Sequence, residues 1–151
     1  MPEQSWFGCQ VPDDLLYDVD QHVWIRLEGD EAVIGMTDVS QTMCGRYVQV
    51  TWKRPGRTIT RGRSLAVVES AKWVGPVPAP LSGVLIANNQ SAFSADIAVA
   101  NRDPYGEGWL VRIAPTALEE ELPRLVDGAE AFEIYRAFIE ENEIRCFRCE
   151  D

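Results

Sequence analysis

Apolar and polar residues alternate over short stretches separated by turn signals. Val23, Ile25 and Leu27 alternate with Trp24, Arg26 and Glu28; Glu28–Asp30 is a turn, and Ala32–Gly35 returns, which predicts two strands. Thr37 or Asp38 is placed to N-cap a short helix through Met43, with Gly45 as its stop. In RYVQVTW, Val48, Val50 and Trp52 form an apolar face and Tyr47, Gln49 and Thr51 a more polar one, the pattern of a half-buried strand. KRPGRTITRGRS is a polar connection with Pro55-Gly56 as its turn signal, and its basic residues read as a solvated loop. SLAVVES and GVLIANN are two further strands. Between them Pro76, Pro78 and Pro80 predict a stiff connection that is hard to pair fully as a ladder. GWLVRIAP is another strand, with Trp109, Val111 and Ile113 on one face.

Helical signals dominate only after these strands. Thr116 and Glu119 of TALEEEL form a capping box. DGAEAFEIYRAFIEENE places Ala129, Phe132, Tyr135 and Ile139 on one stripe suited to packing on a sheet. The fold class is therefore mainly β with C-terminal helices, and short strands at this spacing favour a small sandwich or barrel over a βαβ sheet. Residues 1–12 read as an N-terminal arm, 13–141 as one domain including the helices, and 142–151 as a tail.

Bulk composition narrows the function. With 151 residues, 46% hydrophobic and 25% charged, the chain suits one globular domain with a sizeable core. A net charge of −10 argues against nucleic acid as a partner, since phosphate backbones call for a basic stripe. The most apolar runs, Leu65–Val68 and Val84–Ala87, are of strand length, so no membrane partner is expected. The N-terminus has no basic or apolar region of a secretory signal, which leads to a cytoplasmic expectation and disfavours structural disulfides. Cys146 and Cys149 form a CxxC near the chain end. It reads as incidental tail thiols ahead of a redox or metal site, because His22, the single histidine, is a poor completion of a zinc site.

Familiar catalytic equipment is scarce: there is no GxSxG, P-loop or GxGxxG, and YGEGW precedes a strand rather than a helix. The informative stretch is VVESAKWVGP. It sets Lys72 on a turn between two apolar strands, braced by prolines. An exposed amine on a rigid mount offers a modifying ligase its nucleophile without unfolding, although most lysines are merely solvated.

Those residues resemble the lipoyl-lysine hairpin of glycine cleavage system H proteins, of the type E-S-V-K-A followed by A-P-V-S-G-x-V. Glu69, Ser70, Lys72, Ala79, Pro80, Ser82 and Gly83 match at the same spacing. IGMTDVSQ (Ile34–Gln41) resembles the family's I-G-I-T-D-x-A-Q, NRDPYGEGWLVRI (Asn101–Ile113) its N-x-x-P-Y-G-x-G-W-L-x-K-I, and HVWI (His22–Ile25) its H-x-W-x. The resemblance implies a barrel-sandwich hybrid with C-terminal helices and a non-catalytic carrier. It implies lipoic acid covalently bound to Lys72, a dithiolane swinging arm shuttling between partner enzymes, and Glu69, Ser70 and Gly83 shaping the hairpin for a lipoate ligase or lipoyl transferase. Gly106, Gly108 and Trp109 read as scaffold.

Four departures surround this match: Trp73 where a small residue follows the lysine, a proline-rich VGPVPAP, Cys44 and Arg46 in place of Leu and Asp, and the tail CxxC. They favour the H-like lipoate-binding branch that serves a heterodisulfide-reductase-like complex in sulfur oxidation, with the glycine cleavage enzymes as the alternative. Dihydrolipoamide dehydrogenase is implied as a partner. An unmodified H-like scaffold or lipoyl relay, and a small CxxC oxidoreductase, are the other readings.

Overall fold

A computed structural model describes residues 4–148. In chain order the elements are β1 (Ser5–Trp6), β2 (Cys9–Gln10), β3 (Leu16–Asp18), β4 (Val23–Glu28), β5 (Glu31–Met36), α1 (Asp38–Cys44), β6 (Tyr47–Trp52), β7 (Thr58–Ile59), β8 (Ser64–Ser70), β9 (Val74–Pro78), β10 (Gly83–Asn88), α2 (Gln90–Ala95), α3 (Val99–Arg102), β11 (Val111–Pro115), α4 (Leu118–Glu121), a 3₁₀ turn (Leu122–Arg124), β12 (Val126–Asp127) and α5 (Gly128–Glu141).

An antiparallel seven-stranded sheet runs β12-β3-β4-β5-β11-β10-β7, and a three-stranded antiparallel sheet runs β6-β8-β9. Inward residues of the two sheets share one core: Val23, Ile25, Ile34 and Met36 from the larger, Leu65, Val68 and Val77 from the smaller. The architecture is mainly β with C-terminal helices, a barrel-sandwich hybrid. A second core lies against the reverse face of β3–β5, where Tyr17, Trp24 and Val33 meet Ala131, Tyr135 and Ile139 of α5. This is why Trp24, out of phase with Val23 and Ile25, is as buried as they are. Its indole N–H donates to the carbonyls of Met36 and Pro104, so the polar end is satisfied inside.

The predicted hairpin at Gly29-Asp30 is present, pairing Glu28 with Glu31. The short helix is present too: Thr37 is its N-cap, accepting from the Ser40 N–H at 3.1 Å, and Gly45 ends it at φ 82°. Other expectations give way to packing. In β6 a bulge between Tyr47 and Gln49 reverses the start of the strand, so Tyr47 is buried and Val48 is 54% exposed; Val50 and Trp52 keep the inward face. The Pro76–Pro78 stretch, expected as a stiff connection hard to pair fully, is part of strand β9 and pairs with β8. It is tolerated because β9 is an edge strand, leaving its outer side unpaired in the sheet. Trp109 precedes β11 and joins the second core, while Val111 and Ile113 join the first. Ala117, not Thr116, occupies the cap position of α4, without a side-chain bond. On α5 the buried stripe is Gly128, Ala131, Tyr135 and Ile139; Ala129 is exposed, because the Asp127 N-cap sets the helix phase. Helices α2 and α3 were not anticipated, being too short for a 3.6-residue period to show.

The expectation of unpaired tail thiols is overturned. Cys146 forms a disulfide with Cys9, 137 positions away, with the Cα atoms 4.8 Å apart. After α5 the chain doubles back beside the β1–β2 hairpin, and Cys146 N–H donates to Phe7 C=O at 3.0 Å. Cys149, the other half of the CxxC, lies outside the described residues. Among the described residues, no helix is long and apolar enough to cross a membrane.

Candidate functional site

Strand β8 alternates inward Val68 and Ser70 with outward Val67 and Glu69, then reverses within Ala71-Lys72 to return as β9. Ser70 N–H donates to Trp73 C=O at 2.7 Å and closes the turn. Lys72 stands exposed at the tip. The proline-bearing strand behind it and the closing bond make the mount stiff.

Ser70 anchors this hairpin to the rest of the protein. Its hydroxyl donates to Cys44 C=O at 2.6 Å and accepts a longer contact from Lys72 N–H at 3.4 Å. The lysine stem then crosses Gly45: a Cβ built on Gly45 would lie 3.1 Å from Lys72 Cε. The left-handed backbone there, φ 82°, favours glycine, and a side chain would also push the flexible lysine stem aside by a few tenths of an ångström. Buried Asn101 holds the corner from beneath. Its Nδ2 donates to Gly45 C=O at 3.0 Å and to Gln41 Oε1 at 3.1 Å, and its Oδ1 accepts from Tyr47 N–H at 3.0 Å. Two of the blocks matched to the family, the one ending at Gln41 and the one beginning at Asn101, therefore meet under the lysine.

Beside the hairpin lies a cavity of about 560 Å³ lined by Lys72 together with His22, Met36, Met43, Cys44, Val68, Trp73 and Pro76 among others. Burial pushes the Cys44 thiol up from its ordinary value, opposed by its hydrogen bonds with Tyr47 and Ser40 and by the Lys72 charge. The cavity wall therefore carries a neutral thiol rather than a thiolate near pH 7. Burial pushes His22 below its ordinary 6.5, opposed by Asp20, and His22 Nδ1 lies 3.1 Å from the Tyr135 hydroxyl. His22 is therefore packed at the α5 interface, its ring tilted against that of Phe138 with centroids 5.1 Å apart.

The other residues singled out for the hairpin divide. Ser70 is at its centre, and Glu69 faces outward one residue before it, paired with Val74 across the ladder. Gly83 is elsewhere: it lies in β10 of the larger sheet, between Ile59 and Pro115, where a Cβ would sit 2.4 Å from Ala114 C=O. Ser82 is held by the Glu121 carboxylate at 2.6 and 2.7 Å. Sequence reasoning did not pick out Asn101, Gln41 or the facing position of Cys44. The signals were the matched blocks that end at Gln41 and begin at Asn101, and the departure at Cys44 from a Leu.

Two facing sheets with a lysine-tipped hairpin at the edge of the smaller define a lipoyl-domain-like scaffold. Comparison with known proteins makes the assignment specific. The family model for glycine cleavage H-protein matches residues 15–138. Glycine cleavage system H protein 2 of Aquifex aeolicus is 37% identical over 144 residues, covering 95% of this chain and 89% of the relative. Glycine cleavage system H protein 3 of the same organism is 40% identical over 146 residues, covering 94% and 90%. The crystal structure of a glycine cleavage system H protein from Mycobacterium marinum superposes with a TM-score of 0.70 at 31% identity, covering 89% of this chain and all of that one. The chain belongs to the glycine cleavage H-protein family.

Proposed function

We propose that this protein is a lipoyl-lysine carrier, a subunit without catalysis of its own, with lipoic acid in amide linkage to Lys72. The observation that carries the reading is the placement of Lys72. It is exposed at the tip of a closed two-residue turn, and its base is fixed by the Ser70–Cys44 hydrogen bond. The residues fit such a group: the amine is open to a lipoate ligase or lipoyl transferase, and the adjoining cavity has the apolar walls a hydrocarbon chain requires. When bound, the group supplies a dithiolane that interconverts disulfide and dithiol while carrying cargo. The protein's own residues hold its root. Ser70 sets the turn, Gly45 leaves room for the stem, and Asn101 keeps Gly45 in place. Glu69, one residue from the turn on the outward face, would meet the modifying enzyme.

The names of the relatives, glycine cleavage system H proteins, favour the glycine cleavage enzymes as partners; dihydrolipoamide dehydrogenase as reoxidising partner and a cytoplasmic location are part of the same proposal. A second reading, carriage of sulfur intermediates for a heterodisulfide-reductase-like complex, is favoured by the cavity itself. Cys44, Met36 and Met43 line it, with Trp73 beside the lysine, a sulfur-rich and aromatic wall. Intact mass with peptide mapping across Glu69–Pro80 of natively purified protein tests the attachment. A lipoyl increment on Lys72 is expected, and an unmodified Lys72 would overturn the mechanism in favour of a scaffold. Reconstitution with glycine decarboxylase then separates the pathways: glycine-dependent bicarbonate exchange by lipoylated protein supports cleavage, and its absence supports the sulfur reading.

A further inference from the structure

The disulfide at the back of the molecule is wired to the helix that supports Lys72. Immediately after Cys146, the tail lies on α1. Gln41 Nε2 donates to Phe147 C=O at 2.8 Å, and Arg148 forms an ion pair with Asp38. Asp38 and Gln41 are 0% and 2% exposed, so each depends on its protein partners. Asp38 accepts from Gln10 N–H at 2.9 Å and from Gln41 Nε2 at 2.8 Å. Gln41 in turn accepts from Asn101, whose same amide holds Gly45 under the lysine stem. The path thus runs Cys146, Phe147 and Arg148, then Asp38 and Gln41, then Asn101 and Gly45.

We infer that the Cys9–Cys146 disulfide is a redox latch on the cavity wall beside Lys72: closed, it clamps the tail onto α1; opened, it frees the tail and loosens α1 and Gly45. Helix α1 has only seven residues, so few of its backbone bonds are internal and it relies on what packs against it. Without Arg148, the Asp38 carboxylate is buried without its cation, and the first turn of α1 must open to rehydrate it. Without Phe147, Gln41 Nε2 loses one of its three acceptors and depends on Asp38 Oδ1 and Thr42 Oγ1, so its hold on Asn101 follows whatever Asp38 does.

Opening is a thiol–disulfide exchange with a dithiol reductant. Its thiolate attacks Sγ of Cys146, the less buried residue of the pair, at 8% exposed against 0% for Cys9. The Cys9 thiolate leaves and takes up a proton. The second thiol of the reductant then attacks the mixed disulfide, closing a cyclic disulfide and releasing Cys146 as a thiol. Two electrons and two protons pass from dithiol to protein. The latch acts on the wall whether or not Lys72 is modified, so it stands or falls separately from the carrier reading.

Hydrogen–deuterium exchange on the full-length protein, read by mass spectrometry before and after reduction with dithiothreitol, tests it. Reduction lowers global stability and so speeds every amide that exchanges through complete unfolding; Asp38–Gly45 and 144–148 are expected to accelerate at least fivefold more than Val23–Glu28. Acceleration confined to 144–148 would make the disulfide a simple tail staple and overturn the latch. Acceleration of Asp38–Gly45 no greater than that of Val23–Glu28 would make it a global staple and overturn it equally. Arg148→Ala, with the disulfide intact, isolates the mechanical link: faster exchange in Asp38–Gly45 alone supports the latch, and unchanged exchange there rejects it.

Discussion

Strands β4 and β5 present two faces, and the regions built on them are opposites. On one side the three-stranded sheet ends in a hairpin whose Lys72, Trp73 and Val74 all reach solvent, Val74 being 62% exposed. On the other, Tyr17, Trp24 and Tyr135 are at most 1% exposed, closed in by α5 and the disulfide-linked termini. On the proposed reading, displaying Lys72 for other proteins removes packing from the display site. Stability must then be made where no chemistry is visible, in the aromatic core and its bridge. The residue that defines the function is expected to matter least to folding, and the residues that define folding to be silent about function.

The strongest way to break that contrast is Trp24→Ala. Emptying a fully buried indole site is expected to cost about 3–5 kcal/mol in urea denaturation followed by circular dichroism, and a loss below about 1 kcal/mol would mean the aromatic core is not the anchor. Reduction of Cys9–Cys146 comes next. It closes a loop of 137 positions, and opening it is expected to lower stability by about 2–4 kcal/mol in the same assay. Ser70→Ala removes the bond to Cys44 and leaves a carbonyl unpaired, an expected loss of about 1 kcal/mol with faster amide exchange at Ala71–Trp73.

A smaller effect appears only on acidification. Burial holds the folded-state pKa of His22 below 6.5, so just under that pH the unfolded chain binds a proton that the folded chain refuses. The stability contributed by neutral His22 is complete above 6.5 and falls as pH drops toward the folded value. His22→Asn, which tolerates the φ of 59° there, is expected to flatten the stability profile in that window. The smallest effect on folding belongs to Lys72→Arg, which is expected to stay within about 0.5 kcal/mol of the parent while the lipoyl increment disappears from the intact mass. A larger destabilisation would show the arm root to be part of the fold's support.

Legibility in the sequence followed range of interaction. The β4–β5 hairpin was readable because alternation and a Gly-Asp turn act over neighbours, and α1 because Thr37 caps its own helix three residues on. Lys72 was readable because a tight turn between two apolar strands leaves its tip no place inside. Where two surfaces compete for a residue, alternation misled. Val48 turned outward because Tyr47 fills the interior and reaches Met36 Sδ at 3.2 Å, and the bulge that permits this has no local signature.

Amino-acid order alone therefore set the succession of strands, the short capped helix and the exposed amine, since each is decided by residues a few positions apart. Folding in three dimensions assigned Cys146 to Cys9 instead of leaving both thiols free. It brought Asn101 under Gly45 and placed Cys44 in the wall beside the lysine. Together with the Ser70–Cys44 hydrogen bond, these pairings join segments from 26 to 137 positions apart. A carbonyl or a thiol carries no record in the chain of which distant partner will satisfy it; that choice is made when the sheets close and the buried polar groups must find one another.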